Sequence, residues 1–250
     1  MSDNTGEVKR ALRIKKLRYA VDKFEKEKLN KEQRECDRLI QDKTLTVVTG
    51  KAGSGKTLLA CFSALRRLAQ RKIDQIIITR PTVSTEDNGF LPGDINEKLD
   101  PWMSPIFANI KTIVGPDVFE QMMSQNLIEI VPLTYMRGRT FVDCNIIVDE
   151  AQNLTHEQTL MCISRIGIGS KMVVCGDTKQ IDLKTYKQSG LGFLQSIPNE
   201  SEIGVYQLKQ NHRHAIVDRI LDIYENNDIE KPEPKIITLA EVNRKKRRTV

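Results

Sequence analysis

The sequence has few aromatic residues, few histidines, no closely paired cysteines and no long hydrophobic run. Aromatic residues make up 5% of the chain and do not form the series of rings that stacks bases in single-strand binding proteins. The three histidines do not combine with cysteines at the spacing of zinc ligands, so we expect no zinc site. Because no apolar run reaches about 18 residues and the N-terminus is polar and Lys-rich, we expect a cytoplasmic protein that does not contact a membrane.

The five cysteines are scattered, and several lie inside apolar segments. We expect them to be small buried residues that stay reduced, as cytosolic cysteines do. They are Cys36, Cys61, Cys144, Cys162 and Cys175.

Charge is distributed unevenly along the 250 residues, whose formal net charge is +6. Residues 1–43 contain 13 Lys and Arg against 9 Asp and Glu, and residues 231–250 contain 7 against 2, whereas residues 44–230 contain 19 against 22. Basic ends on a mildly acidic core are typical of a protein with a polyanionic partner, although basic runs that only solvate helices and tails give the same counts. We predict an N-terminal helical extension over 1–43, a core over 44–230 and a basic tail over 231–250.

Short apolar runs alternate with helix-like segments along the chain, and residues 7–41 have the apolar spacing of a helix. This alternation predicts an α/β fold in which a mostly parallel sheet carries helices on both faces. The loops at 81–93 and 177–193 follow strands, where open α/β sheets bind ligands. The predicted strands are 44–49, 75–79, 127–132, 145–149 and 171–175, and the predicted helices are 57–70, 94–99 with its neighbours, 116–125, 155–165 and 213–226.

Residues 44–57, TLTVVTGKAGSGKT, carry the phosphate-loop pattern G-x-x-x-x-G-K-[ST] after a β-rich run. Glycines let such a loop turn its backbone N–H groups inward, and the helix that follows presents its positive end to phosphate. Lys56 would reach the β- and γ-phosphates, and the Thr57 hydroxyl would hold Mg²⁺. The loop therefore predicts a nucleoside triphosphate site. Its residues are Gly50, Lys51, Ala52, Gly53, Ser54, Gly55, Lys56 and Thr57.

A second acidic motif, NIIVDEAQN, ends another apolar run. Asp149 stands where a carboxylate would hold the Mg²⁺ shell, and Glu150 would orient or deprotonate the attacking water. An ordinary strand end of Asp-Glu is the alternative, and the upstream phosphate loop makes the nucleotide interpretation the stronger one.

Three further segments resemble motifs of superfamily 1 helicases. LNKEQ, ending at Gln33, resembles the Q motif, which implies that the Gln33 amide reads adenine; an exposed helical glutamine is the alternative. GDTKQ resembles motif III, which implies that Gln180 senses the γ-phosphate. LKQNHR resembles the motif whose arginine meets the γ-phosphate, here Arg213, for which a surface position is the alternative.

The segments between these motifs resemble the PhoH family of ATPases over nearly the whole core. They are residues 78–110, PLTYMRGRTF at 132–141, residues 147–183 and SGLGF at 189–193. The resemblance implies a RecA-like P-loop NTPase fold, ATP and Mg²⁺ as cofactors, and action on RNA or single-stranded DNA. The chain is short, as phage-type members of the family are, and this resemblance implies a phage-encoded protein in a bacterial host. The chain departs from the family at Lys51, where Pro is usual, at Ser54, where Thr is common, and before Arg213.

The candidates for nucleic-acid contact are arginines. Arg80, in T-R-P, occupies the place of a helicase motif that contacts the strand backbone. Arg137 and Arg139 are candidates for a strand contact or for a finger that reaches a neighbour's ATP, with a structural salt bridge as the alternative. Trp102 is interpreted as a packing or interface residue, with base stacking as the alternative. The tail NRKKRR at 243–248 is equally compatible with phosphate binding and with a solvated end.

The sequence thus predicts a Mg²⁺-dependent ATP hydrolase that acts on RNA or single-stranded DNA as a helicase-like motor. Because only one motor domain is present, we expect a homo-oligomer such as a hexameric ring to complete the cleft. One alternative is an ATP-gated binding or assembly protein without unwinding activity. A small-molecule kinase is a second alternative, against which the glutamate, Gln180 and Arg213 all argue.

Overall fold

The computed structural model describes residues 3–81, 95–183 and 188–210, with 216, 219, 220 and 223; side chains are described from Ile14 and, in the second range, from Trp102. Contacts divide the chain into the units 1–212 and 213–250, and every element below belongs to the first. The helices are α1 (Asp3–Lys28), α2 (Lys31–Asp42), α3 (Lys56–Ala69), α4 (Ile95–Val114), α5 (Pro116–Ser124), α6 (His156–Ile163) and α7 (Leu191–Ser196). The strands are β1 (Leu45–Gly50), β2 (Gln75–Thr79), β3 (Ile128–Ile130), β4 (Cys144–Val148), β5 (Lys171–Gly176) and β6 (Ile203–Leu208), and two 3₁₀ turns cover Leu133–Tyr135 and Ala151–Asn153.

The six strands form one sheet in the order β3-β2-β4-β5-β1-β6, and every neighbouring pair is parallel. In register, Val47 pairs with Val174, and Ile77 pairs with Ile146. One strand, β5, lies between the strand that enters the phosphate loop and the strand that ends before Asp149. Because all strands run the same way, their carboxyl ends meet at one edge, where the loops gather. The predicted RecA-like α/β fold is confirmed.

Helices cover both faces of the sheet, because successive strand residues point to opposite sides. Val48 and Ile147 join the cluster under α1–α5, whereas Val47 and Ile146 join the cluster under α6 and α7. The central strands are therefore mostly apolar, as a sheet buried on both faces requires, and the polar residues Thr46, Thr49 and Asn145 that they carry are buried as well. The first two helices share the larger cluster with the core, through Leu17, Val21, Phe24, Leu29, Cys36 and Ile40.

Differences from the sequence-based expectation are confined to a few elements. The N-terminal segment is two helices, because Asn30 caps α2 and interrupts the run predicted over 7–41. The helix predicted around 94–99 extends over Ile95–Val114, and β6 was not predicted at all. Of the helix predicted over 213–226, the structure describes residues 216, 219, 220 and 223, which are helical. The basic tail lies outside the described residues, and the domain boundaries stay predictions.

All five cysteines are buried and unpaired by disulfides, as expected. Burial, the main cause, raises the pKa of the Cys36 and Cys162 thiols to about 12. Among the helices described, none is both long enough and apolar enough to cross a bilayer.

Candidate nucleotide-binding site

The phosphate loop joins β1 to α3, which begins at Lys56, and glycines allow its path. Gly53 and Gly55 have φ angles of 85° and 90°, in the left-handed region that favours glycine. Gly50 also has a positive φ, 154°, and a Cβ there would lie 2.7 Å from the Leu208 carbonyl oxygen. The loop is therefore shaped by its own glycines and by the end of β6 beside it.

The remaining loop residues differ in exposure. Lys51 is exposed, Ala52 and Gly53 are half-buried, and Ser54 is 2% exposed, with a hydroxyl that has no partner among the described residues. The Lys56 ammonium donates to the carbonyl oxygens of Gly50, at 2.7 Å, and Lys51, at 3.1 Å. The ammonium thus lies over the loop that sequence analysis assigned to phosphate.

Two oxygen ligands meet where α3 begins and β4 ends. The Thr57 hydroxyl donates to Asp149 Oδ1 at 2.7 Å. Asp149 is 4% exposed, and this burial raises its pKa above the usual range, with the Glu150 carboxylate acting in the same direction and the Thr57 hydrogen bond opposing it. A hydroxyl and a carboxylate are hard oxygen donors of the kind that Mg²⁺ prefers, so the pair fits the predicted metal.

Glu150 directly follows Asp149, in a left-handed backbone conformation with φ 51° and ψ 38°. A non-glycine residue in this conformation stores strain, which is concentrated at functional sites. Both carboxylate oxygens have partners: Oε2 accepts from Gln152 Nε2 at 2.6 Å, and Oε1 lies 3.5 Å from Arg80 Nη2. The Glu150 side chain is 37% exposed, so water can reach it.

Arg80 comes from the end of β2 and is held between Glu150 and α4. Its Nη1 donates to the Trp102 carbonyl oxygen at 3.1 Å, and its guanidinium carbon lies 5.8 Å from the centre of the Trp102 ring. Trp102 is partly buried and packs against the larger core cluster. The structure therefore places Arg80 beside the candidate catalytic carboxylate, and it places Trp102 in packing.

The turn after β5 carries Gln180, whose side chain is exposed. Its backbone N–H donates to the Asp177 carbonyl at 3.0 Å, and the Lys179 N–H donates to Asp177 Oδ1 at 3.0 Å. The Asp177 N–H in turn donates to Gln152 Oε1 at 3.1 Å. Gln152 belongs to the NIIVDEAQN motif, where no local pattern indicates its role.

Gln33 is buried, with 5% exposure, and this excludes the alternative of an exposed helical glutamine. Its Oε1 accepts from the Asn30 N–H at 3.1 Å, while its own N–H donates to Asn30 Oδ1 at 2.8 Å, which makes a capping box for α2. Its Nε2 would lie 3.2 Å from a Cβ on Gly55. The structure thus brings the Gln33 amide against the phosphate loop while half of it stabilises a helix start.

Glu32 fastens α2 to the segment that follows β6. Its carboxylate accepts from the Lys209 N–H at 2.7 Å and from the Gln210 N–H at 3.1 Å, and Asn30 Nδ2 donates to Gln210 Oε1 at 2.8 Å. Arg213 lies outside the described residues. Sequence analysis missed Glu32, since nothing local indicates a partner 177 residues away.

The other two candidate arginines, Arg137 and Arg139, do not contact the phosphate loop, Asp149 or Glu150 among the described residues. Arg139 makes a two-pronged ion pair with Glu129 at 2.8 and 3.2 Å, and its guanidinium lies 4.6 Å from the Phe141 ring centre. The hydrogen bonds that Arg139 donates to Glu129 raise the pKa of Arg139 above its usual value. Glu129 belongs to β3, and three strands separate β3 from β1. Arg137 is exposed and pairs with no carboxylate in the part of the chain that the structure describes.

A parallel sheet of this order, with a phosphate loop after β1 and paired acids after β4, defines the class: the chain is a P-loop NTPase of RecA-like fold. The family model described as PhoH-like protein matches residues 26–225. The chain belongs to this family.

Curated relatives agree with the family. A PhoH-like protein of Synechocystis is 41% identical over 208 residues, which cover 81% of this chain and 63% of that protein. A PhoH-like protein of Bacillus subtilis is 40% identical, with 78% and 63% covered, and Protein PhoH of Escherichia coli K12 is 36% identical, with 74% and 54% covered. The chain thus spans a little over half to just under two thirds of the length of these relatives.

Solved helicase structures resemble the chain weakly. A Pif1 helicase from Candida albicans has a TM-score of 0.40 and 16% identity, with 79% of this chain and 43% of that chain covered. The helicase MrfA bound to DNA has a TM-score of 0.43 and 13% identity, with 78% and 29% covered.

Proposed function

We propose that the protein is a Mg²⁺-dependent ATPase of PhoH type that acts on RNA or single-stranded DNA as a helicase-like motor. The observation that carries the proposal is the Thr57–Asp149 pair at 2.7 Å, at the start of the helix that follows a complete phosphate loop. Glu150, the next residue, has an accessible carboxylate for water. The residues proposed to bind nucleotide, hold the metal and activate water thus all lie at the carboxyl edge of the sheet.

The phosphate loop, residues 50–57, would wrap the triphosphate with its backbone N–H groups. Lys56 would exchange its contacts with the Gly50 and Lys51 carbonyls for β- and γ-phosphate oxygens. Thr57 and Asp149 would hold Mg²⁺, directly or through water. When bound, the ion neutralises charge on the phosphate oxygens.

Glu150 would orient the attacking water and accept its proton. Gln180 would contact the γ-phosphate from the turn after β5, and Arg213 would spread its donors over the charge that develops during transfer. The Gln33 amide, which lies against Gly55, would contact adenine, because an amide offers both a donor and an acceptor.

Nucleic-acid action is supported by the basic ends of the chain and by the position of Arg80. A guanidinium 3.5 Å from Glu150 is close enough for a strand phosphate bound there to alter the environment of the catalytic carboxylate. We further propose a homo-oligomer, such as a hexameric ring, that supplies the opposite wall of the cleft, and a cytoplasmic location.

Steady-state ATP hydrolysis with and without single-stranded RNA and DNA tests the proposal. Several-fold stimulation that Glu150→Gln abolishes is the expected result. If neither RNA nor DNA changes the hydrolysis rate, an ATP-gated assembly protein becomes the better proposal. If the wild-type protein does not hydrolyse ATP, the proposed ATPase activity is wrong.

A further inference from the structure

We propose that Gln152 is the positioning residue that fixes the Glu150 carboxylate and couples it to the turn at Asp177–Gln180. The proposal rests on the ATPase function proposed above and assigns to that site a residue beyond those expected to touch nucleotide, metal or water.

Gln152 connects the ends of two neighbouring strands through one side chain. It is 1% exposed, it donates from Nε2 to Glu150 Oε2 at 2.6 Å, and it accepts at Oε1 from the Asp177 N–H at 3.1 Å. A carboxylate only accepts and a backbone N–H only donates, so these two partners fix which way the amide is turned. A neutral amide meets both demands, whereas a carboxylate or an ammonium at this position would meet one.

The end of β5 leaves room for this amide and for a leucine of α7. A Cβ on Gly176 would lie 2.5 Å from Leu191 Cδ2, 2.9 Å from Gln152 Oε1 and 3.1 Å from the Gln152 backbone nitrogen. All three distances are shorter than ordinary contacts of a Cβ, so a side chain at position 176 would displace Leu191 or the Gln152 amide. The glycine next to Asp177 therefore permits the close approach that the hydrogen bond to the Asp177 N–H requires.

The connection leads from the carboxylate to the segment expected to sense phosphate. The Asp177 peptide that donates to Gln152 belongs to the turn in which the Gln180 N–H donates to the Asp177 carbonyl. A shift of this turn would therefore move the Gln152 amide and, through it, the carboxylate. Glu150 stands in a left-handed conformation at the start of the 3₁₀ turn over Ala151–Asn153, and its carboxylate is oriented by Gln152 and Arg80.

The test compares Gln152→Met and Gln152→Glu with wild type in single-turnover ATP hydrolysis and in binding of a fluorescent ATP analogue. Methionine keeps the length of the side chain and removes both hydrogen bonds; glutamate keeps the acceptor and places a second carboxylate against Glu150. We expect Gln152→Met to lower the rate about tenfold to a hundredfold, as loss of a hydrogen bond to a charged group does, with nucleotide affinity changed less than about threefold. Gln152→Glu should be slower still.

Gln158→Met is the matched control, because Gln158 caps α6 through the Thr155 N–H and contacts none of the site residues that the structure describes. It should hydrolyse at the wild-type rate. Coupling to Glu150 predicts that Gln152→Met has no further effect in a Glu150→Gln background. An equal loss in both backgrounds, or a rate loss matched by loss of folded protein, would overturn the positioning role.

Hydrogen exchange at the Asp177 amide separates this inference from the proposed function. Gln152→Met should speed exchange at that amide relative to Gln158→Met. If wild type does not hydrolyse ATP, the proposed function fails while exchange still reports on the connection to the turn. Unchanged exchange at Asp177 would overturn the coupling whether or not the protein is an ATPase.

Discussion

The Thr57 hydroxyl donates a 2.7 Å hydrogen bond to Asp149 Oδ1, across 92 residues of sequence. The bond joins the first turn of α3 to the end of β4, so the two oxygens that we propose as Mg²⁺ ligands are oriented by each other. If they hold the metal as proposed, their directions are already set, which would lower the cost of ordering them on binding.

Thr57→Ala should raise the Mg²⁺ concentration needed for half-maximal hydrolysis by about tenfold or more, because a metal ligand and the orienting bond are both lost. Thr57→Ser keeps the hydroxyl and should stay within a few-fold of wild type. Thr112→Ala removes an exposed hydroxyl whose one partner among the described residues is the Ala108 carbonyl on α4, and it should leave the Mg²⁺ requirement unchanged. Mg²⁺ titrations of turnover measure all three; equal Mg²⁺ requirements for Thr57→Ala and wild type would contradict the assignment.

Asp149→Asn should abolish Mg²⁺-dependent hydrolysis and yet raise the melting temperature at neutral pH. Burial raises the pKa of Asp149 above its unfolded value, so its ionised form is disfavoured in the folded protein and reduces stability above that raised pKa. The asparagine oxygen can still accept from Thr57. We expect a gain of a few degrees, the shift that about 1 kcal/mol produces in a domain of this size.

The pH dependence gives the sign of that effect. As the pH falls from the raised pKa toward the unfolded value, Asp149 becomes protonated in the folded protein and the cost of burying its charge disappears. The melting temperatures of wild type and Asp149→Asn should therefore converge at low pH. Thermal unfolding without Mg²⁺ across the acid range measures this. A gap that widens toward low pH would mean that the buried carboxylate stabilises the fold.

Glu32→Gln should destabilise the protein by about 1–2 kcal/mol, because the carboxylate accepts from two backbone N–H groups, and an amide brings a donor where an acceptor is needed. Urea unfolding measures the loss, and exchange at Lys209 and Gln210 should accelerate. Glu35→Gln is the control, since among the described residues of β6 the Glu35 carboxylate accepts only from the Tyr206 hydroxyl, at 3.4 Å. Equal losses in both variants would point to a general charge effect.

Gly50→Ala should cost about 2 kcal/mol or more and weaken nucleotide binding, because its Cβ would lie 2.7 Å from the Leu208 backbone oxygen, which cannot rotate away. Gly115→Ala offers the comparison: its φ is also positive, 82°, but no atom lies within 4 Å of the added Cβ. That variant should lose about 1 kcal/mol from backbone strain alone and bind nucleotide normally. Denaturant unfolding and nucleotide titration distinguish the two.

Arg80→Ala should weaken binding of single-stranded RNA or DNA several-fold and lower the salt dependence of log K by about one, as loss of one phosphate contact does. Arg139→Ala should leave strand binding nearly unchanged, because the Arg139 guanidinium is already held by Glu129. Fluorescence anisotropy over a salt series measures both slopes. A larger effect from Arg139 than from Arg80 would move the strand path to the β3 edge of the sheet.

The elements with strong local patterns could be predicted from the sequence. Four of the six strands contain consecutive apolar residues, β3 (IEI) alternates around Glu129, and the phosphate-loop pattern predicts the strand before it and the helix after it. The sixth strand, IGVYQL, contains a glycine and only three buried or core-facing apolar residues, because β6 lies at a sheet edge and has neighbours on one side only. Its pattern is too weak to separate from a loop.

The site residues divide in the same way. Local pattern placed Lys56, Thr57, Asp149 and Glu150, whereas the partners that orient them come from distant segments. Arg80 reaches Glu150 across 70 residues, and Asp177 reaches Gln152 across 25, only because β2, β4 and β5 are neighbours in the sheet. At Gln33 a local signal was available: N-x-x-Q is a capping-box sequence, and it predicts the start of α2 as directly as it resembles a Q motif.

The five buried thiols can report the rate at which the structure around each of them opens locally. A thiolate is the form that reacts with alkylating reagents, and burial keeps each thiol protonated and covered, so modification must wait until the surrounding structure separates. Cys175 Sγ lies 3.6 Å from the Lys56 carbonyl oxygen, directly beneath the start of α3. The rate at which Cys175 is alkylated therefore reports how often the structure under the phosphate loop opens, and a ligand bound by that loop would slow it. Cys162, in the core cluster on the other face of the sheet, would react at an unchanged rate.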